Sequence, residues 1–213
     1  MKVQLNLQYA RIAFFMLALC AAFVAPAAEA GLFGSSETYS NDLAPFNKWN
    51  RMLLRHQSHL VRMKTQCETD KDCVYNRWVN FLTGLKSKSP IAQLDEVNRY
   101  MNSRRYTLDS VNWGIEDYWE TPYEFFLHNG DCEDYAIAKY MTLRLMGYKI
   151  ENLRVVVLQD NNLGVVHSVL AVYEGGAIYI LDNQLRRVVK DTSIRHYTPV
   201  YSINEEGWWR HRS

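Results

Sequence analysis

Three side chains with the chemistry of nucleophilic catalysis fall at structurally telling places in this 213-residue chain: Cys132, His167 and Asp182. Cys132 follows Asn129-Gly130-Asp131, a turn signal, and opens a helical pattern that ends at Gly147. The first turn of a helix carries partial positive charge and unsatisfied N–H groups. These favour a thiolate and can hold the oxyanion of a tetrahedral intermediate. A cysteine nucleophile also needs a base, and an imidazole needs a third group to fix its tautomer. His167, inside a strand pattern, and Asp182, at the end of the next one, are of the right types for both roles.

Strand register decides whether the two can meet. Val165 to Tyr173 and Ala177 to Asp182 read as strands joined through Glu174-Gly175-Gly176. A two-residue Gly175-Gly176 turn would pair Glu174 with Ala177 and Tyr173 with Ile178, so that Val169 faces Asp182 and His167 faces Gln184. Side chains alternate along a strand, which puts His167, Val169 and Asp182 on one sheet face, with His167 and Asp182 as diagonal neighbours. A turn of odd length would put Asn183 there instead. Plainer roles exist for each residue: a hydrogen-bonded core histidine, a turn-forming aspartate, and a cysteine serving as a small hydrophobe.

Asp131, Glu133 and Asp134 crowd negative charge around Cys132. As helix chemistry, Asp131 caps and the other two suit the first turn. As site chemistry, they oppose a thiolate unless a cation offsets them, and carboxylate oxygens are what calcium prefers. The full loop spacing of an EF-hand is missing.

The elements that must position these residues divide the chain in two. Phe46, Trp49, Met52, Leu53, His56, Leu60 and Met63 repeat with a helical period across 43–66. Tyr75, Trp78, Val79 and Leu82 continue it before Gly84, and Ile91, Leu94, Val97 and Met101 follow Pro90, a residue suited to a helix start. From Cys132 to Met146, only Lys139, Thr142 and Arg144 are polar after the first turn, so that helix should be buried. Leu153 to Leu158 is a β-branched run, followed by the turn Asp160-Asn161-Asn162. A helical first half and a buried helix leading into an antiparallel sheet predict an α+β fold. Gly31 to Asn41, rich in Gly, Ser and Thr, reads as a mobile segment.

Composition narrows the function. Lys and Arg number 24 against 23 Asp and Glu, which excludes a nucleic-acid binder working by bulk charge. Apolar residues at 48% and charged ones at 22% predict a packed core rather than disorder. Residues 1–30 have the form of a removable signal peptide: Lys2 and Arg11, an apolar run from Ile12 to Ala28, and the small-x-small Ala28-Glu29-Ala30. A retained membrane anchor is the alternative. Large Leu19 before Cys20 makes a poor lipoprotein signal. Cleavage after Ala30 would remove Lys2, Arg11 and Glu29 from a +1 balance, leaving a neutral, exported chain without stable membrane insertion.

Cys67, Cys73 and Cys132 would then remain, an odd count for an oxidising compartment. Cys67 and Cys73 enclose the polar loop 68–72 and can bridge it, at roughly 2–3 kcal/mol for so short a loop; two buried thiols are the alternative. No second Cys or His pair at ligand spacing points to zinc. Cys132 is the thiol without a partner.

Gly130-Asp131-Cys132-Glu133-Asp134-Tyr135-Ala136, Val166-His167-Ser168-Val169 and Leu181-Asp182-Asn183, with Trp119-Glu120-Thr121-Pro122 upstream, resemble the bacterial transglutaminase-like cysteine proteinases. Within that family the likeness is to the periplasmic LapG type, and it covers about residues 45–205. The resemblance implies a papain-like, transglutaminase-like fold in one cysteine-proteinase domain over 31–213, with a helical part at about 43–103 and a catalytic part at about 118–205. It implies a Cys132–His167–Asp182 triad and Ca2+ held at Asp131, Glu133 and Asp134. It also implies partners: a large surface adhesin cut near its N-terminus to release cells from biofilm, and an inner-membrane cyclic di-GMP receptor acting as inhibitor. Two other activities fit the same residues. An acyl transferase would pass the thioester to an amine, and a catalytically silent module would only hold a peptide in the cleft.

Overall fold

The computed structural model describes residues 31–212. Residues 1–30, the segment expected to be a signal peptide, lie outside the described residues. Six helices and seven strands follow in the order β1 (Ser36–Ser40), α1 (Asn47–Gln66), α2 (Val74–Leu85), α3 (Pro90–Asn102), α4 (Asp109–Asn112), α5 (Pro122–His128), α6 (Cys132–Leu145), β2 (Leu153–Asp160), β3 (Val165–Glu174), β4 (Ala177–Leu181), β5 (Val189–Lys190), β6 (Tyr197–Ile203) and β7 (Trp208–Arg212). The strands form one antiparallel sheet in the order β1-β7-β6-β2-β3-β4-β5. This is the α+β arrangement that the helix and strand periods predict. Among the described residues no helix is long and apolar enough to cross a membrane.

Alternation along the central strands sorts the core into two layers. Val155, Leu170, Val172 and Leu181 pack with Trp49 and Met52 of α1, Leu94 and Val97 of α3, and Ile137, Tyr140 and Leu143 of α6. Val156, Leu158, Val169, Ala171 and Ile180 form the opposite layer, closed by Leu32. Behind α6, Met63, Trp78, Met101 and Phe125 knit the helices to one another. The Cys67–Cys73 pair is bridged, with Cα atoms 5.7 Å apart, and ties the end of α1 to the start of α2.

The segment 31–41 departs from expectation: it is ordered rather than mobile. Leu32 is fully buried, Ser36 to Ser40 pair with Arg212 to Trp208, and Glu37 pairs with Arg154 at 2.7 Å. Ser35 Oγ lies 2.8 Å from His211 Nδ1. An edge strand of Ser, Glu, Thr and Tyr has no hydrophobic period, so composition alone suggests a loose end.

Helix α6 is buried nearly all round, as its composition requires, and the burial extends to Lys139. Its Nζ has no hydrogen-bond partner. Burial pushes its amine down to about 7 from 10.5, against the opposing pull of Asp182. Because the folded pKa lies below the unfolded one, the cost appears as pH falls through the interval between them and is complete below about 7. Lys139→Met should therefore gain stability over wild type, slightly near pH 10 and by a few kcal/mol, on the order of 1.4 per pKa unit, at pH 7. Urea titrations across that range check this; a stability difference independent of pH would contradict it.

Candidate active site

Gly175 and Gly176 both adopt positive φ, 59° and 75°, as a two-residue hairpin turn requires. Glu174 pairs with Ala177, Tyr173 with Ile178 and Leu170 with Leu181, the even register expected from the sequence. His167 thus continues the Val169–Ala171 row and Asp182 the Ile180 row. His167 Nε2 meets Asp182 Oδ1 at 3.0 Å, with both side chains buried. Asp182 is held by two further donors: the Gln184 N–H at 2.8 Å on Oδ1, and the Tyr197 hydroxyl at 2.7 Å on Oδ2. Burial alone would raise the Asp182 pKa. The hydrogen bond and charge of His167, with the Gln184 and Tyr197 donors, outweigh it and hold the carboxylate below its ordinary range. Asn102 Nδ2 donates to the Asp182 backbone carbonyl at 2.8 Å, which fixes the loop. Asn183 does not share this network; its Oδ1 is buried without a partner.

Cys132 occupies the first position of α6, after Asp131 as N-cap. Asp131 and Asp134 form a capping box, in which Asp134 Oδ2 accepts the Asp131 N–H at 3.1 Å. Asp134 Oδ1 accepts the Glu120 N–H at 2.7 Å and so ties in the segment before α5. A Cβ at Gly130 would overlap the Asp134 carboxylate, so only glycine allows this closure. Thr121 and Glu124 make a second capping box at α5.

The thiol does not bond to His167. It donates to Glu133 Oε2 at 3.2 Å, while the backbone N–H of Ser168, the residue after His167, faces the sulfur and favours its charged form. Burial pushes the Cys132 thiol well above its ordinary pKa. The negative charges of Glu133 and Asp131 and the Glu133 hydrogen bond push it further, more than the Ser168 N–H offsets. With Nε2 engaged by Asp182, Nδ1 is the imidazole nitrogen left for a sulfur turned away from Glu133.

The acidic cluster is larger than the three residues that flank Cys132. Asp109, Asp131 and Asp134 bring oxygens within 4.8 Å of one another, as do Asp109, Asp117 and Glu133. Glu120 lies alongside, its Oε1 accepting from Trp113 Nε1 at 2.6 Å. Burial raises the carboxyl of Asp109 to about 6, of Glu120 to about 8 and of Glu133 to about 9, with charge from neighbouring carboxylates adding to each. Asp131 and Asp134 are raised for the same first reason. One oxygen each of Asp109, Glu120 and Asp131 is buried with no hydrogen-bond partner. Asp109, Asp117 and Tyr197 are candidate site residues that sequence reading missed, and Glu120 is marked there only as part of the Trp119–Pro122 resemblance. Asp109 comes from α4, Asp117 and Glu120 from the segment between α4 and α5, and Tyr197 from β6, and no local spacing marks them.

The sequence profile of the family described as bacterial transglutaminase-like cysteine proteinase (BTLCP) matches residues 56–211. Calcium-bound LapG of Legionella pneumophila is 32% identical over 72% of this chain and 86% of that one, with a TM-score of 0.62. A second structure of that protein gives 32% identity, the same shares and 0.61. An EGTA-treated form gives 31%, with 74% of this chain and 86% of that one covered, and 0.62. No curated protein matches the chain.

Two outcomes follow for the thiol. Iodoacetamide should alkylate Cys132 alone in native protein, since Cys67 and Cys73 are bridged. In EGTA, the pH midpoint of that alkylation should lie above the value of about 8.5 for a free thiol. A midpoint below 8.5 in EGTA would contradict the electrostatics of the first turn.

Proposed function

The chain belongs to the bacterial transglutaminase-like cysteine proteinases and is a cysteine peptidase; from that premise we propose that Cys132, His167 and Asp182 are its catalytic set and that it is a calcium-dependent endopeptidase. The observation that carries this reading is the buried 3.0 Å His167–Asp182 bond beside a helix that opens on Cys132. His167 takes the thiol proton on Nδ1, and the thiolate attacks the peptide carbonyl. The oxyanion forms against the Cys132 backbone N–H, a donor already aimed by the helix start. His167 then gives its proton to the leaving amine, and hydrolysis of the thioester returns the thiol. Asp182 keeps the imidazole in the required tautomer, and Tyr197 keeps Asp182 oriented.

Asp131, Glu133 and Asp134, joined by Asp109, are the residues that would hold the calcium ion. The unpartnered oxygens of Asp109 and Asp131 and the raised carboxyls around them fit a hard cation with oxygen ligands. Bound calcium would offset the charges that hold the thiol protonated. The likeness to a LapG that binds calcium supports the same choice of ion. Resemblance to the LapG type supports the biological setting: the periplasm, reached by a cleavable signal peptide. The substrate is a large surface adhesin cut near its N-terminus, which releases cells from biofilm, and an inner-membrane cyclic di-GMP receptor holds the enzyme in check.

The test is cleavage of an adhesin N-terminal fragment, read as a new N-terminus by mass spectrometry. Cys132→Ala should abolish it with the fold retained. EGTA should abolish it and calcium restore it better than magnesium, which demands tighter octahedral geometry. Asp182→Asn should lower turnover by orders of magnitude, and Asn183→Ala far less. Full-rate cleavage by Cys132→Ala would sink the mechanism, and full-rate cleavage in EGTA would sink the calcium requirement.

A further inference from the structure

Two concavities meet beside the loop that follows Asp182. One, of about 550 Å3, is walled by Arg77 and Arg104; the other, of about 830 Å3, by Arg99, Arg186 and Arg187. Ser103 lines both, so the two adjoin across a single side chain as neighbouring parts of one groove face. Arg99 pairs with Glu96 at 3.3 Å, but Arg77, Arg104, Arg186 and Arg187 make no ion pair among the described residues. Arg77, Arg186 and Arg187 are exposed, and Arg104 lies over the Phe126 ring at 5.1 Å with its planar fork pre-placed. Asp95 is the carboxylate in the lining, and it is occupied by the Val188 N–H at 2.8 Å. A chain with 24 basic and 23 acidic residues has therefore collected along one face four arginines that have no carboxylate partner among the described residues. Arg77 and Arg104 each give one N–H to a backbone carbonyl, of Asp72 and of Phe126.

Chain segments that line the groove lead to both halves of the site. Asn183, next to Asp182, lines it. Past Ser103 the chain runs directly to the Cys132 turn, where the Thr107 N–H donates to the Gly130 carbonyl at 2.9 Å. The Arg104 carbonyl accepts from the Tyr135 hydroxyl of α6 at 2.7 Å.

We propose that this arginine-walled groove is an exosite that binds an acidic stretch of the polypeptide substrate, outside the scissile bond. The proposal rests on the peptidase reading. Guanidinium forks take carboxylates bidentately, and the uncharged polar side chains of Asn80 and Gln184 beside them suit an extended backbone. The concavity argues against the other anionic partners, because a flat bilayer or a duplex would meet only its rim.

Binding can be read without turnover, in Cys132→Ala protein of the full mature chain, using a fluorescent Glu-rich dodecapeptide, a Lys-rich control and phosphatidylglycerol vesicles. The Glu-rich peptide should bind and weaken as salt rises, and the triple variant Arg77→Ala, Arg186→Ala, Arg187→Ala should weaken it at least tenfold. In the active background the same triple change should raise KM for an acidic protein substrate about tenfold and leave kcat and Cys132 alkylation unchanged. Unaltered peptide affinity in the triple variant, or vesicle binding stronger than peptide binding, would overturn the exosite. Loss of cleavage with arginine-dependent peptide binding intact would count against the peptidase reading and leave the groove standing.

Discussion

Carboxyl groups buried together at the start of α6, paired with no basic side chain among the described residues, govern the rest of the site. Asp131, Glu133 and Asp134 occupy the first turn, and folding carries Asp109 and Glu120 to meet them. Each is raised first by loss of solvent and then by the others. A helix N-terminus stabilises a nearby anion by about 0.3–1 kcal/mol, and by about 2 at best. That is too little to keep a thiolate beside several carboxylates, and the sulfur accordingly stays protonated and bonds to Glu133. The Cys132 thiol is thus held protonated by its surroundings, and under the proposed function a change in the charge of the cluster would free it.

The imidazole and its acid depend on something else. Their meeting follows from hairpin register: two glycines with positive φ close the turn, the register stays even, and His167 and Asp182 fall into neighbouring rows. Tyr197, on a strand that does not neighbour β4, supplies the second hold on Asp182 and so ties the pair to the far side of the sheet. The sheet therefore positions the proposed base and its acid, and the helix start the proposed nucleophile. They touch through Ser168, whose backbone faces the sulfur while the preceding side chain engages Asp182.

What was legible in the sequence was local. The Gly175-Gly176 pair specifies its own turn and, through parity, the His167–Asp182 contact. The apolar run of α6 announces its burial, and Cys67 and Cys73 are close enough to bridge. Contacts made only by tertiary packing left no such signal. Asp109 sits in a four-residue helix, and Tyr197 begins a strand whose apolar pattern is broken by Thr198 and Pro199. β1 is polar throughout, yet it is held by pairing with β7 and by the Glu37–Arg154 pair. The bond from Cys132 to Glu133 was equally hidden, because charge type at adjacent positions does not reveal how deeply a pair is buried.

The most direct test of the buried-charge relation is the number of protons expelled when calcium binds. At pH 7, Glu120 and Glu133, raised to about 8 and about 9, are protonated in metal-free protein. A cation bound by the cluster must therefore displace protons into the buffer. Calorimetric titration of the metal-free protein with calcium, in buffers of different ionisation enthalpy, counts them. Release of about one to two protons per calcium is expected. Binding with no proton release, or no binding at all, would contradict the claim that a cation at these carboxylates controls the Cys132 thiol.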